Sequence, residues 1–560
     1  MYSDKKNIIQ LAALLEAHHV TKVVLCPGSR NAPIVHTLST NPAFTCYSVT
    51  DERSAGYFAI GVALRERMPV AVCCTSGTAL LNLHPAVAEA YYQQVPLIVI
   101  SGDRPAAWVG QMDGQTIPQP NVFHNLVRKS VNLPEILNET DEWYCNRLIN
   151  EALLEACHRV KGPVHINVTL SEPLFNFNVE QLPTVRAINR YRKADLCTST
   201  GATLPDRLKS FPKRMIIMGQ GNPMKQGDIE KEVLLHKQYV CLSEHIGNRP
   251  AHEASLSNFD VALYTMSEDC ATQMAPDLLI TCGGHIVSKR LKQFIRQHPP
   301  KEHWHVSPDG EVVDLFGALT TVIEMEPADF MDELAVLNND EPSEYCHLWR
   351  DYCQTIPDPS FGYSAMSTVG MLIKKLPQAS VLHLANSSSI RYAQLYPLSP
   401  SVEVFCNRGA NGIDGSLSTA VGYAAGSDKL NFMIIGDLSF FYDMNALWNA
   451  HVSRNLRILL INNEGGEIFH TLPGLKPTDI SHNYITAVHR TSAKGWAEER
   501  GFIYLQAKDD TQLEKAMEVF ADPEHGKQPL LLEVFTSKDT DTTLLKEYYH
   551  LQYEAARKTL

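Results

Sequence analysis

Short apolar runs alternate with helical patterns of apolar positions along this chain. In its first part the runs predict buried strands at 22–26, 70–74, 97–101 and 164–168, and the helical patterns predict helices ending at His19 and spanning 79–93 and 141–159. This alternation is typical of a parallel, doubly wound sheet. The predicted strands end in polar turns that contain glycine or proline, so we expect these turns to line one edge of the sheet.

The same alternation returns twice further along the chain. Strands are predicted at 215–218, 240–242, 278–281 and 303–306, and again at 381–384, 402–405, 432–435, 458–461 and 530–534. Proline-containing polar segments at 175–195 and 338–359 are interpreted as linkers. The fold class that follows is α/β, with three doubly wound parallel-sheet domains at 1–180, 195–340 and 358–560.

The second of these domains begins with a glycine pair that could indicate a dinucleotide site. Gly219 and Gly221 directly follow its first predicted strand, but position 224 is Met where the GxGxxG fingerprint has its third glycine. We therefore interpret this domain as a structural spacer.

Composition places the chain among globular proteins and argues against several classes of function. Of its 560 residues 44% are hydrophobic and 20% are charged, which is ordinary for a soluble protein. The net charge of −13 argues against general nucleic-acid binding. The thirteen cysteines are scattered without CxxC spacing, which favours buried, reduced thiols over disulfides or metal sites.

The N-terminal stretch does not have the pattern of a targeting segment. Ile8, Leu11, Leu14 and Leu15 recur at helical spacing among charged residues, which predicts an amphipathic helix rather than a signal peptide. No run approaches eighteen apolar residues, so no membrane insertion is expected. We expect a cytoplasmic protein.

Two of the predicted strand ends carry residues suited to a metal ion. The run at 432–435 ends in Gly436-Asp437, and the run at 458–461 ends in Asn462-Asn463-Glu464-Gly465-Gly466. In a parallel sheet both ends open at the same carboxyl edge, so Asp437 and Asn463 can converge although they lie 26 positions apart. A carboxylate, an amide oxygen and a backbone carbonyl form a hard, incomplete oxygen shell, which suits Mg²⁺ that also binds phosphate oxygens. The pattern indicates a site for a diphosphate cofactor.

This pair of strand ends resembles the GDG…NN signature of thiamine diphosphate (ThDP) enzymes. In that family the Asp, the second Asn and a carbonyl two residues later hold the metal, which corresponds to Asp437, Asn463 and Gly465. Leu438 stands where the signature has its last glycine, a departure that leaves the three ligands in place. The resemblance implies a pyrimidine-binding first domain, a central domain and a diphosphate-binding third domain.

Another candidate residue is Glu52, at the start of a small-residue helix predicted to run to position 63. Asp51 and Glu52 also suit an ordinary acidic helix start, where carboxylates favour the positive end of the helix dipole. The resemblance to ThDP enzymes implies instead that Glu52 is the catalytic residue that hydrogen-bonds N1′ of the aminopyrimidine. That role requires a neutral carboxyl that donates a hydrogen bond, so we expect Glu52 to be buried.

Motifs throughout the chain narrow the resemblance to the MenD family, the ThDP-dependent carboligases of menaquinone biosynthesis. They are Pro27-Gly28-Ser29-Arg30, Asp51-Glu52-Arg53, Thr75-Ser76-Gly77-Thr78-Ala79, Asp103-Arg104-Pro105, Ser288-Lys289-Arg290-Leu291, Asn386-Ser387, Asn407-Arg408-Gly409-Ala410-Asn411-Gly412-Ile413-Asp414-Gly415 and Gly436-Asp437-Leu438. The resemblance implies ThDP and Mg²⁺ or Mn²⁺ as cofactors, 2-oxoglutarate as donor and isochorismate as acceptor. It also implies decarboxylation followed by 1,4-addition, in a homodimer or homotetramer whose cofactor sites are shared between chains.

The same resemblance implies roles for individual residues. Contacts with the cofactor are expected from Glu52, Ser76, Gly77, Ile413, Leu438, Ile468 and Phe469, with Ile413 as a wedge beneath it. Isochorismate is expected to lie against Ser29, Arg30, Arg104, Gln115, Lys289, Arg290, Ser387 and Arg391, the succinyl carboxylate against Arg391 and Arg408, and the apolar wall of the substrate site is expected from Ile468, Phe469 and Leu472. Arginine suits these dicarboxylate substrates because its planar fork can bond both oxygens of a carboxylate.

Two other functions are compatible with parts of this pattern. One is a ThDP-dependent 2-oxoacid decarboxylase or acetohydroxyacid-type synthase, but the His pair common in simple decarboxylases appears here only as His18-His19, in the first helix. The other is a non-catalytic nucleotide-sensing or scaffold protein, which would not need Glu52 together with Asp437. ThDP-dependent CO₂ release from 2-oxoglutarate, compared with pyruvate, distinguishes these functions.

Overall fold

A computed structural model describes residues 1–192, 204–223, 235–249, 256, 258–337, 343–466, 485–525 and 528–559. Within these ranges the strands form three six-stranded sheets and one two-stranded antiparallel pair. In the six-stranded sheets every pair whose register is described is parallel. The predicted α/β class with three parallel sheets is confirmed. The predicted domain boundaries stay predictions.

The first compact unit comprises residues 1–191 and 310–322. The strands of this part of the chain are β1 (Tyr2–Ser3), β2 (Lys22–Leu25), β3 (Thr45–Ser48), β4 (Val70–Cys74), β5 (Leu97–Asp103), β6 (Lys129–Leu133), β7 (Val164–Thr169), β8 (Phe177–Val179) and β9 (Asn189–Arg192). The helices are α1 (Lys6–Ala17), α2 (Ala32–Thr40), α3 (Glu52–Glu66), α4 (Thr78–Asn82), α5 (His84–Tyr92) and α6 (Glu139–Ala156), with 3₁₀ turns at Ala106–Trp108 and His124–Leu126. Its six-stranded sheet has the order β3-β2-β4-β5-β7-β6.

Strands β2, β4 and β5 of this sheet are buried on both faces, which explains why they appear in the sequence as nearly continuous apolar runs. Along β4, Ala71 and Cys73 belong to the core on one face, whereas Val70, Val72 and Cys74 belong to the core on the other. The side chains alternate between the faces because successive residues of a strand point in opposite directions. The sheet is therefore doubly wound, as predicted.

The second compact unit comprises residues 192–309 and 323–560. Strands in the remainder of the chain are β10 (Arg214–Met218), β11 (Val240–Ser243), β12 (Leu278–Cys282), β13 (Glu302–Val306), β14 (Leu319–Glu324), β15 (Val381–Leu384), β16 (Glu403–Cys406), β17 (Asn431–Gly436), β18 (Leu456–Asn462), β19 (Ile503–Ala507) and β20 (Leu530–Phe535). Two sheets contain them, in the orders β11-β10-β12-β13-β14-β9 and β16-β15-β17-β18-β20-β19.

The helices of this part of the chain are α7 (Leu204–Lys209), α8 (Phe259–Thr265), α9 (Glu268–Met274), α10 (Lys289–Gln297), α11 (Pro327–Val336), α12 (Glu344–Gln354), α13 (Ala365–Lys375), α14 (Ser388–Ala393), α15 (Ser416–Ala425), α16 (Asp437–Tyr442), α17 (Lys494–Glu499), α18 (Asp510–Ala521) and α19 (Lys538–Thr559), with 3₁₀ turns at His245–Gly247 and Met444–Leu447. None of the described helices has the length and apolar character needed to cross a membrane.

The first and third sheets share one strand order. Numbered along the chain within each sheet, both run 2-1-3-4-6-5. The order changes direction between strands 1 and 3, which are β2 and β4 in the first sheet and β15 and β17 in the third. In open α/β sheets ligands bind at such a switch point, outside the carboxyl ends of the strands. Each of these two sheets therefore has one place where a site is expected.

Several local predictions differ from the structure. The helix predicted at 79–93 is two helices, α4 and α5, because Pro85 at the start of α5 lacks the N–H that would continue the first one. Strands β8 and β9 lie within the first predicted linker, and α12 lies within the second, where 338–342 is outside the described residues. Strands β8 and β9 are only partly buried, whereas α12 buries one face that includes Trp349.

Candidate active site

Three strand ends of the first sheet place their arginine and serine residues together. Arg30 follows β2, Ser76 follows β4 and Arg104 follows β5. Arg104 donates from Nη1 to Ser76 Oγ at 3.3 Å and pairs through Nε with Asp113 at 2.7 Å. Burial, and then the neighbouring charge of Arg104, lowers the pKa of Arg30. The sequence prediction that these turns meet at one edge of the sheet is confirmed.

Arg30 is nearly completely buried, and its guanidinium is only partly satisfied. Its Nη1 donates to Leu170 O at 3.0 Å, and its Nη2 lies 3.0 Å from Glu172 Oε1. Among the described residues, Nε has no acceptor. Buried donors are nearly always hydrogen-bonded in native proteins, so this position is suited to an additional acceptor such as a ligand carboxylate.

A glycine turn follows β4 and contacts the loop that carries Gln115. Gly77 has φ +80°, and a Cβ at this position would lie 3.2 Å from the carbonyl oxygen of Gln115. The N–H of Gly77 donates to Gln119 Oε1 at 2.8 Å, and Gln119 Nε2 donates to Asn167 Oδ1 at 2.8 Å. Asn167 in turn donates to Asp103 Oδ2 at 2.8 Å, beside Arg104. A buried amide network therefore fixes the Gly77 turn.

Sequence reasoning missed this network, although a signal was present. In β7 the buried polar residues His165 and Asn167 alternate with Val164, Ile166 and Val168. Polar residues at every second position of an otherwise apolar strand place a row of hydrogen-bonding groups on one face of a buried sheet. Such a row predicts a polar network within the core.

Glu52 is the first residue of α3. Asp51 caps this helix by accepting from the N–H of Ser54 at 3.2 Å, as expected for an acidic helix start. Asn82 Nδ2 lies 3.4 Å from Glu52 Oε2. The sequence predicted a buried carboxyl, but Glu52 is half-buried in the single chain. Ser29 and Gln115, two predicted substrate contacts of this unit, are exposed.

In the second unit, Asp437 and Asn463 converge as predicted. Strands β17 and β18 are paired with Gly436 opposite Ile461, so the residues that follow lie side by side. Asp437 is 2% exposed, and its Oδ2 accepts from the N–H groups of Asn463 at 3.2 Å and Gly465 at 2.9 Å. Oδ1 accepts from the N–H of Leu438 at 2.6 Å. The candidate ligands therefore meet at the switch point of the third sheet.

The turn after β18 requires glycine at position 465. Gly465 has φ +140°, and a Cβ there would lie 2.7 Å from the carbonyl oxygen of Thr486. His489, on the segment that follows Thr486, places Nε2 3.2 Å from Asp437 Oδ2. This contact raises the pKa of His489. His489 was not predicted from the sequence, because its proximity to Asp437 depends on how this segment packs.

A cleft opens beside Asp437. Its lining includes the three serines Ser387–Ser389 and residues Tyr392, Ile413, Asp437, Leu438, Asn463 and Gly465. The carbonyl of Ile413 accepts from Ser439 Oγ at 2.5 Å, and the Ile413 residue is 38% exposed. The other predicted apolar contacts, Ile468, Phe469 and Leu472, lie outside the described residues.

These residues fit a divalent metal that carries a diphosphate. No lysine or arginine among the described residues pairs with the buried Asp437 carboxylate, whose ion-pair partner there is His489. A buried carboxylate needs a compensating positive charge. Asp437, the amide of Asn463 and the carbonyl of Gly465 are the oxygen ligands that Mg²⁺ prefers, and the serine-lined cleft leaves room for phosphate oxygens.

Two predicted arginines hold the wall of this cleft. Ser387 adopts φ +72°, a region that favours glycine, and its carbonyl accepts from Arg391 Nη1 at 2.8 Å. Arg408 is 7% exposed and donates from Nη1 to Asn386 Oδ1 at 2.8 Å. As with Arg30, Nε of Arg408 is buried without an acceptor in the described part of the chain.

The charges near Arg391 form a mixed cluster. Burial, and then the charge of Arg408, lowers the pKa of Arg391, while Asp260 and Glu244 act in the opposite direction. Burial lowers the pKa of Lys292. The charge of Glu244 raises this pKa, and the charges of Arg408 and Arg391 lower it further. Glu244 accepts from the N–H groups of Val287 at 2.7 Å and Ser288 at 2.6 Å, and burial raises its pKa to about 7. Arg391 therefore lies among charges of both signs.

Lys292 and Glu244 were missed by the sequence prediction. Helix α10 starts at Lys289, which is exposed, and Lys292 is three residues further along. Residues three apart lie on neighbouring positions of a helix face, so Lys292 could have been included with Lys289. Glu244 offered no comparable signal, because it follows a short strand without any motif.

Comparisons with known proteins agree with the sequence resemblance. Residues 9–126 match the family model described as thiamine pyrophosphate enzyme, N-terminal TPP binding domain, and residues 242–362 match that described as middle domain of thiamine pyrophosphate. A 2-succinyl-5-enolpyruvyl-6-hydroxy-3-cyclohexene-1-carboxylate synthase of Bacteroides thetaiotaomicron is 66% identical over 98% of this chain and 99% of its own length. Synthases of the same name from Bacteroides fragilis and Phocaeicola vulgatus are 63% and 60% identical, again over 98% of this chain and 99% of theirs.

Proposed function

Because this chain belongs to the 2-succinyl-5-enolpyruvyl-6-hydroxy-3-cyclohexene-1-carboxylate synthase family of thiamine diphosphate-dependent enzymes, we propose that it decarboxylates 2-oxoglutarate and joins the remaining four-carbon unit to isochorismate. The enzyme is a transferase, its products are CO₂ and the compound after which the family is named, and menaquinone biosynthesis is the pathway it serves. The supporting observation is the convergence of Asp437, Asn463 and Gly465 beside a serine-lined cleft in the same unit as Arg391 and Arg408.

One group of the proposed site residues binds the cofactor, and another group binds the substrates. When bound, thiamine diphosphate would supply nucleophilic and electron-accepting chemistry at the 2-oxo carbon of the donor. Asp437, Asn463 and Gly465 bind the metal that holds the diphosphate, and Glu52 holds a proton at N1′ of the aminopyrimidine. Ser76, Gly77, Leu438 and Ile413 contact the cofactor, and Ile468 and Phe469 extend these contacts.

Both substrates are dicarboxylates, so after CO₂ leaves the site still has three carboxylates to balance. Arg408 and Arg391 neutralise the succinyl carboxylate. In each guanidinium Nη1 already donates within the protein, so the other N–H groups provide the charge-assisted hydrogen bonds to the substrate. The acceptor carboxylates are bound by the remaining cations and polar groups, which are Ser29, Arg30, Arg104, Gln115, Lys289, Arg290 and Ser387, with Phe469 and Leu472 as the apolar wall. Arg30 and Arg408 are buried, so they can bind anionic groups although the chain as a whole is acidic.

Turnover with 2-oxoglutarate and isochorismate tests the proposed reaction. CO₂ should be released from 2-oxoglutarate and not from pyruvate, and isochorismate should be consumed in equal amount. Preference for pyruvate would favour the alternative of another 2-oxoacid decarboxylase or acetohydroxyacid-type synthase. His18, the first residue of the only His pair, hydrogen-bonds Asn150 at 2.8 Å beside α1, which gives that alternative no support.

Replacing Arg408 by alanine is expected to raise the KM for 2-oxoglutarate by the equivalent of about 2–3 kcal/mol, the scale of a charge-assisted hydrogen bond. The KM for isochorismate should change less, because Arg408 is assigned to the donor. Lys429→Ala is a matched control. It also removes one positive charge, but Lys429 lies before the start of β17, whereas the candidate site lies at the other end of that strand, next to Asp437. Steady-state kinetics with each substrate varied in turn measures both constants. Equal effects on the two substrates would contradict the assignment.

We also propose a homodimer, or a homotetramer built from such dimers, with cofactor sites shared between chains. Each unit by itself exposes large apolar side chains near its candidate residues. On α3, which begins with Glu52, Tyr57 and Phe58 are 45% and 44% exposed. On α16, which begins with Asp437, Tyr442 is 72% exposed. Exposed apolar surface of this kind favours association, and two-fold symmetry would give two equivalent sites.

Mixing inactive Glu52→Gln chains with inactive Asp437→Ala chains is expected to restore part of the activity after dissociation and reassociation. In a mixed dimer with shared sites, one of the two sites has both groups intact. A control mixture pairs Glu52→Gln with a chain that carries both changes, and it should stay inactive because no site contains Glu52. If native mass spectrometry confirmed mixed dimers and no activity returned, each site would lie within one chain.

A cytoplasmic location is part of the same proposal. The twelve described cysteines are all free thiols, and most of them are buried. Free thiols persist in reducing compartments, whereas secreted proteins tend to form disulfides.

A further inference from the structure

Arg290 is held by side chains that the proposed function does not use. It lies on α10, and its guanidinium carbon sits 4.2 Å from the ring centroid of Tyr549 and 5.0 Å from that of Tyr264. Its Nη1 donates to Asp260 Oδ2 at 2.5 Å and to the Tyr549 hydroxyl at 3.1 Å. Tyr264 and Asp260 belong to α8, and Tyr549 belongs to α19, the C-terminal helix. One arginine therefore meets two other helices.

The geometry of these contacts leaves one edge of the guanidinium available. Both hydrogen bonds that the structure records for Arg290 use Nη1. A carboxylate bound in the bidentate manner can use the opposite edge, formed by Nε and Nη2. The guanidinium carbon lies over the rings of Tyr549 and Tyr264, and the attraction between a cation and an aromatic ring restricts the movement of the side chain.

The start of α10 is fixed by the same group of residues. Asp260 Oδ1 accepts from Ser288 Oγ at 2.5 Å, and Ser288 caps α10 by accepting from the N–H of Leu291 at 3.0 Å. Asp260 thus holds both the helix end and the guanidinium that projects from it. A long arginine side chain loses conformational entropy when a substrate orders it, and ordering it beforehand reduces that cost.

We propose that Tyr549 is a positioning residue for the acceptor substrate: with Tyr264 and Asp260 it holds the guanidinium of Arg290 so that the Nε–Nη2 edge is ready for a carboxylate. This inference rests on the proposed function, in which Arg290 binds isochorismate. If Tyr549 has this role, the C-terminal helix α19 contributes to the affinity for the acceptor substrate. A structural role alone would connect α19 to α8 and α10 without any selective effect on one substrate.

Variants at Tyr549 separate these roles. Tyr549→Phe removes only the hydroxyl, and Tyr549→Leu also removes the ring. The KM for isochorismate is expected to rise roughly two- to threefold in the first, because Asp260 still holds the guanidinium, and roughly tenfold in the second, which also loses the cation–π contact. The KM for 2-oxoglutarate and the rate of its decarboxylation without isochorismate should stay unchanged. Tyr548→Phe, next to it on α19 and packed against Phe361, is the matched control.

A double-mutant cycle with Arg290→Ala decides whether Tyr549 acts through Arg290. In the Arg290→Ala background, either Tyr549 change is expected to alter the isochorismate KM by less than twofold, because the group it positions is gone. Multiplicative effects, equal effects on both substrates, or an unchanged isochorismate KM in the single variants would overturn the proposal. Should Tyr549→Leu fold poorly, Tyr549→Phe carries the cycle. Failure of the wild-type enzyme to consume isochorismate would instead refute the proposed function. This outcome is distinguishable because it concerns the unmodified enzyme.

Discussion

Replacing Asp437 by alanine is expected to abolish Mg²⁺-dependent binding of thiamine diphosphate. Asp437 provides the carboxylate among three proposed ligands, and the amide of Asn463 and the carbonyl of Gly465 lack the negative charge that a hard cation needs. The same carboxylate accepts from the N–H groups of Asn463 and Gly465, so its loss also releases the turn that presents the other two ligands. Both effects act in the same direction, and calorimetric titration of ThDP in the presence of Mg²⁺ measures the result.

Asp443→Ala is the control for this experiment. Asp443 follows α16, and its carboxylate accepts from the N–H and hydroxyl of Ser418. It removes one negative charge close to Asp437 in sequence without touching the proposed ligands. Normal ThDP affinity in the control and none in Asp437→Ala is the expected pair of results. Wild-type affinity in Asp437→Ala would refute the metal site.

Glu52→Gln is expected to leave ThDP bound while slowing exchange of its C2 proton by roughly two or more orders of magnitude, the upper part of the range for general acid–base catalysis. A glutamine keeps the shape of the side chain but has no carboxyl proton to share with N1′. Exchange of the bound cofactor proton can be followed by NMR. This proton exchange requires neither substrate, so its rate reports the role of Glu52 without any contribution from the arginines that bind substrate.

Glu66→Gln provides the comparison for Glu52, since it makes the same chemical change at the last residue of α3. It should leave the exchange rate unaltered. An unchanged rate in Glu52→Gln would mean that Glu52 is only the acidic start of its helix, capped by Asp51.

The parts of the fold that sequence predicts well are those buried on both sides. Strand β4 has the predicted bounds because it is a continuous apolar run that ends in a polar turn, and β15 has them although His383 interrupts its apolar residues. Strands β6 and β19 escaped prediction, since each lies at the edge of its sheet and is only partly buried. Helix α12 was read as linker because prolines flank it, although Tyr345 and Trp349 pack into the core.

The candidate site divides in a similar way. Asp437 and Asn463 could be placed together from sequence because parallel strands end at a common edge, whatever their side chains. Glu244, His489 and Tyr549 could not, because their positions depend on how helices and loops pack around that edge. The burial of Glu52 also could not be settled by one chain, because the proposed dimer would cover α3.

The first and third sheets share one strand order, which determines where a ligand site lies but not which residues form it. A crevice whose position is determined by the order of strands stays in place when the residues after each strand change. In one copy the strand ends carry Arg30, Ser76 and Arg104, and in the other they carry Ser387, Asp437 and Asn463. Two repeats of one architecture can thus acquire unlike ligands by changing a few turn residues, with no alteration to the buried strands. Redesign of substrate preference in this protein is therefore best directed at those turns.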